Sequence, residues 1–142
     1  MKISNENKKI IVNEFDKVLK LMKDTNNISE KLFYFSATYA MVLRILNIEY
    51  DPLLILIHSV LLSTYSNINS FANNIANKQN VFFSIPEKYF DKIENNLKDL
   101  SRSIDSNDEI KIYKDLQRFT VLAYLVTGNG NYLYKKGIIN FN

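Results

Sequence analysis

Apolar residues recur at three- and four-residue spacing along nearly the whole chain, the period of an α-helix with one buried side. No segment keeps up the strict alternation of a half-buried strand. The first stripe is Ile11, Phe15, Val18 and Met22, with lysines and acids on the other side. Ser4 stands before it as a capping residue, so a helix is predicted over about residues 5–24. The second stripe runs Ile28, Leu32, Phe35, Tyr39, Val42, Leu46. Asn27 precedes it and Glu30 follows three positions later, the spacing of a capping box, which predicts a helix over about 28–47. Asp51–Pro52 opens a third helix, over about 52–78, because a proline suits a first turn where its missing N–H had no partner anyway. Ser84 with Glu87 and Ser106 with Glu109 repeat the capping-box spacing and predict helices over about 85–104 and 107–127. Their stripes are Phe90, Ile93, Leu97, Leu100, Ile104 and Ile112, Leu116, Phe119, Ala123, Val126. Gly128 suits a left-handed cap on the fifth helix. The tail, residues 128–142, holds all three glycines and is expected to pack back through its aromatic and aliphatic residues.

This pattern predicts an all-α fold, an antiparallel up-down bundle of about five helices. A chain of 142 residues suits one domain and buries a sizeable core without staples. The helices differ in how much they must bury. The first and fourth are amphipathic and belong on the outside. The second, the third and the end of the fifth (Phe119 to Val126) are apolar on most sides, which places them inside a bundle, at an oligomer interface or in a membrane. Two runs bear on the last option. Leu32 to Ile48 is 17 residues with Arg44 inside it, and Leu53 to Tyr65 is 13 residues with no charge. Both fall short of the roughly 20 apolar residues a span needs, so no membrane role is expected.

The third helix contains His58, the one histidine of the chain. Leu54, His58, Leu61, Tyr65, Ile68, Ala72 and Ile75 form one stripe, and the asparagines beyond Tyr65 mark the opposite side. That projection points His58 into the core. A buried imidazole needs partners for its ring nitrogens. The leading expectation is a hydrogen-bonded core histidine that sets the register of the second and third helices. The alternative is a small polar pocket of His58, Arg44 and Tyr39 that binds an anion or small molecule, or moves a proton. Arg44, the one charge between Lys31 and Glu49, is expected to reach the hairpin end and pair with Glu49 or Asp51.

Composition narrows the chemistry. There is no cysteine, which removes disulfides, thiolate metal sites and cysteine nucleophiles. A di-metal bundle would want a glutamate three residues before its histidine, and that position is Ile55. No phosphate loop, dinucleotide fingerprint or nucleophile elbow is present, so no metal and no cofactor are expected. The net charge is only +3, and three of the eighteen basic residues are arginine, which disfavours a phosphate-reading surface. The basic residues with the best claim on nucleic acid are Lys9 and Lys20 of the first helix and Lys135 and Lys136 of the tail, diluted by Glu14 and Asp16. No apolar stretch precedes the first charged helix, so a secretory signal is not expected and a cytoplasmic location is. The function expected is non-enzymatic: contact with a protein partner or, foremost, with further copies of the chain.

Overall fold

A computed structural model describes residues 1–76 and 87–125. They form five α-helices: α1 Asn5–Lys23, α2 Ile28–Leu46, α3 Pro52–Ala76, α4 Glu87–Asp105 and α5 Glu109–Leu125. Ser84 at the predicted start of the fourth helix, Val126 and Gly128 at the end of the fifth, and the whole tail lie outside the described residues.

The helix starts follow the capping chemistry, with two changes of partner. The Ser4 hydroxyl accepts the Asn7 N–H at 3.2 Å and opens α1. Asn27 accepts the Glu30 N–H at 3.1 Å and opens α2. The predicted box does not close directly there. Glu30 instead accepts from the Thr25 hydroxyl, and that same hydroxyl accepts the Asn27 N–H at 3.1 Å. Asp51 caps α3 by accepting from Leu53 N–H at 2.8 Å and Leu54 N–H at 3.2 Å, with Pro52 as the first helical residue. The start of α5 corrects the sequence reading by two residues: the cap is Asp108, which accepts the Lys111 N–H at 3.1 Å, and not Ser106. The reason is Asn107, with φ of 55°. Asparagine tolerates this left-handed state, and it closes α4 with Asn107 N–H on Ile104 O and Asp108 N–H on Ser103 O, both at 3.0 Å.

Among the described residues each helix packs beside two others, in the cyclic order α1, α2, α3, α5, α4 and back to α1. Short links make α1–α2, α2–α3 and α4–α5 antiparallel. Lys31 meets Glu94 while also reaching Met22 O, and Ser101 meets Asp16 at 3.1 Å, so the start of α4 lies by the end of α1 and these two are antiparallel as well. A ring of five cannot alternate throughout. The parallel pair falls at α3–α5, one of the two seams that no short link makes.

The centre is filled by Ile11, Phe15, Met22, Phe35, Leu54, Ile57, Leu61, Leu97 and Phe119, all with at most 1% of their surface exposed. Phe35 and Phe119 meet across it, ring centroids 6.2 Å apart. Buried hydroxyls find partners within a helix and across seams. Thr38 donates to Phe35 O, and Tyr89 on α4 donates to Leu122 O on α5. Burial pushes the Tyr89 phenol well above its ordinary range. The N-terminal segment closes one end. Lys2 N–H donates to Asp51, Ser4 to Glu49, and the Met1 ammonium pairs with Glu109.

Candidate interaction surface

The phase of α3 decides what the molecule shows to the outside. Its inner stripe is Leu53, Leu54, Ile57, Leu61, Thr64 and Ile68. Its outermost row is therefore Ile55, Ser59, Leu62 and Ser66, spaced four, three and four, and all four are exposed. Ile55 keeps 41% and Leu62 38% of their surface in solvent. Leu56, Ser63 and Ser70 extend the exposed surface toward α5. From Pro52 to Ala76 the helix carries no formal charge.

The neighbours of α3 continue this surface. Phe33 and Leu43 are exposed on α2, Ile48 and Tyr50 on the link, and Ile110, Tyr113, Val121 and Tyr124 on α5. Ile10 is the one exposed large apolar residue of α1 among the described residues, and α4 has none. The five-helix ring thus has two arcs. The arc α1–α4 shows lysines, acids and amides; in the arc α2–α3–α5 the exposed charges stand on α2 (Glu30, Arg44) and α5 (Glu109, Lys111, Lys114, Arg118), and α3 between them shows none. Along the parallel α3–α5 seam lies an open groove of about 310 Å³, lined by Ser59, Val60, Ser63, Thr64, Asn67, Thr120, Ala123 and Tyr124. It contains no charge. The hydroxyls of Thr64 and Thr120 are turned back onto their own helices, to Val60 O and Leu116 O, which leaves methyls for its walls.

The residues singled out from sequence are redistributed. His58 does not point into the core. It is half-buried at the α2–α3 seam, about 100° around the helix from Ile57. The asparagines used to find the outer side begin too late in the helix. The serines at 59, 63, 66 and 70 mark it better, and they turn the inner stripe by about one residue. Tyr39 does meet His58 edge-on, centroids 6.2 Å apart, with Tyr65 5.5 Å from Tyr39 on the same seam. Burial, and then Tyr65, push the Tyr39 phenol above its ordinary value, so it remains protonated at neutral pH. Arg44 does not join them. It is five residues on from Tyr39, about 140° around α2, and it is exposed. Nor does it pair with Glu49 or Asp51, because the N-terminal segment and the α3 cap occupy those carboxylates. The expected His58–Arg44–Tyr39 pocket is not assembled.

Lys9 and Lys20 are exposed on α1. Their spacing puts Asp16 on the same side between them, so the positive field is interrupted. Lys135 and Lys136 lie outside the described residues. A larger cavity, about 590 Å³, opens at the α1–α2 turn against α4, lined by Lys23, Asn26, Ile28, Lys31, Phe90, Asp91 and Glu94. Its inner charges are already used: the Lys31 ammonium is 2.9 Å from Glu94 and 2.6 Å from Met22 O. Among the described residues no group of three metal-ligating side chains comes together, and no helix is long and apolar enough to cross a membrane.

No protein-family model matches the chain, and no curated protein or solved structure is significantly similar to it.

Proposed function

We propose that the protein acts through protein–protein contact, using the α2–α3–α5 arc, and that it self-associates there. The observation that carries this reading is α3, whose 25 residues include no charge while Ile55, Leu56 and Leu62 stand exposed on its outer face. The outer face of a solvent-covered helix is ordinarily charged, as α1 and α4 are. An uncharged helix face with exposed apolar residues, flanked by exposed Leu43 on α2 and Tyr124 on α5, is the mark of a contact surface. Contact of this kind needs no cofactor and no chemistry at His58. Native mass spectrometry of the full chain tests it. A dimer or higher assembly that dissociates when Leu62→Glu is introduced is the expected result. A strictly monomeric protein at about 50 μM, a concentration at which an assembly of micromolar Kd would be mostly formed, overturns it.

A further inference from the structure

The outer row of α3 alternates large and small: Ile55, Ser59, Leu62, Ser66. Lay this row antiparallel on itself with the two-fold axis between Ser59 and Leu62. Ile55 then faces Ser66 of the second copy, and Ser59 faces Leu62. Every large side chain meets a small one, at both ends, by symmetry. A parallel pairing in register would set Ile on Ile and Ser on Ser, leaving gaps at the serines. A two-fold contact also sets a patch against itself, so any net charge would meet its own kind. This helix has none.

We infer that α3 is the centre of a two-fold homodimer interface, packed antiparallel on α3 of a second copy through the Ile55–Ser59–Leu62–Ser66 row. The inference rests on the reading of the α2–α3–α5 arc as a self-association surface. Serines at the crossing let the two helices approach closely, as small residues do at tight helix pairs. The same two-fold keeps the α5 sides together. Leu56 of the second copy, exposed in the free chain, then comes level with Ser63 and Asn67 over the 310 Å³ groove. A stable interface buries about 800 Å² on each partner. In this register residues 52–69 of the two α3 helices overlap, a strip about 27 Å long and 10 Å wide that supplies roughly a third of that. Leu43 on the α2 side and Tyr124 on the α5 side provide the flanks.

The absence of cysteine makes the test clean. Ile55→Cys and Ser66→Cys are made separately in the full chain, checked for native helicity by circular dichroism, and oxidised alone and mixed. In the inferred register residues 55 and 66 face each other, whereas each lies about 16 Å along the helix from its own copy. A disulfide needs Cα atoms within about 7 Å. The expected result is a covalent dimer in the mixture and little in either variant alone. Self-linking of Ser66→Cys, or no mixed disulfide in a sample that native mass spectrometry shows to be dimeric, overturns this register while self-association stands. A monomeric wild-type chain overturns both. Ser59→Leu gives a second readout. It adds apolar surface but fills the place of Leu62 from the second copy, and is expected to weaken the dimer by about tenfold or more. Tighter association would overturn the large-on-small seam.

Discussion

The outer faces of α3 and α4 stand in contrast. Both helices sit in the same ring, each packed between two neighbours, and both bury a full apolar stripe. Outside that stripe α4 shows Asp91, Asn95, Lys98, Arg102 and Asp105, while α3 shows Ile55, Leu56, Leu62 and serines. The core therefore does not explain α3. A helix covering one side of a bundle needs one apolar stripe, and α3 has that stripe plus an uncharged back. What α4 teaches is what a finished outer face looks like in this chain. By that standard the outer face of α3 is unfinished.

The largest effect should come from the core that the two arcs share. Phe119→Ala, which empties the contact with Phe35, is expected to cost about 4 kcal/mol in urea unfolding, whichever arc is otherwise intact. Next is the joint between the arcs. Lys31 and Glu94 are largely buried, with 14% and 9% of their side chains exposed. Lys31→Ala leaves the carboxylate without its cation and is expected to cost about 3 kcal/mol, whereas Lys31→Met with Glu94→Leu recovers most of it. The comparison itself is sharpened by one glutamate in each arc. Leu62→Glu and Asn95→Glu should each change monomer stability by less than about 0.5 kcal/mol, since both sites are exposed. Only Leu62→Glu should abolish association, read by sedimentation. Equal effects from the two would erase the distinction between the arcs.

The smallest effects are in pH dependence, and they have opposite signs. Hydrogen bonds from the Asn7 side chain, then from the Ser4 backbone and hydroxyl, hold the Glu49 carboxyl below its ordinary value of 4.5. The folded state then releases the proton more readily than the unfolded chain. Its stabilisation is present above the ordinary value and is lost as pH falls through the lowered one. Asp115 behaves the other way. Burial at the α4–α5 seam raises it above its ordinary value of 3.8, against the Ser103 hydroxyl at 2.7 Å and Arg118 at 3.6 Å, which lower it. Its contribution is most favourable below 3.8 and declines as pH rises through the raised value. In thermal melts, Glu49→Gln should narrow its deficit relative to wild type as the solution is acidified. Asp115→Asn should gain on wild type as pH rises across that window.

Much of the fold was legible because helical periodicity and caps are local. Ser4, Asn27 and Asp51–Pro52 stand where the helices begin, and the stripes of α1, α2, α4 and α5 are the buried sets, apart from half-buried Ile28, Tyr39 and Leu46 on α2 and Val126 outside the described residues. Where the reading slipped, the cause was also local. The left-handed Asn107 moved one cap from Ser106 to Asp108, and the phase of an all-round apolar helix could not be set from its own residues. That phase put His58 in the core when it belongs on the α2–α3 seam. The alternating row Ile55, Ser59, Leu62, Ser66 was present in the sequence, yet without a known outer side nothing marks it as a row.

The sequence alone determined that the described residues are helical, that they form five helices, and which of these are amphipathic, since each follows from residues within a few turns of one another. Only the tertiary structure decided the ring order, with α5 inserted between α3 and α4, and so set the uncharged face of α3 between α2 and α5. It also left Arg44 outside, because the carboxylates it was expected to find are taken by the N-terminal segment. Those outcomes depend on which distant segments meet, and no short-range period in the chain carries that information.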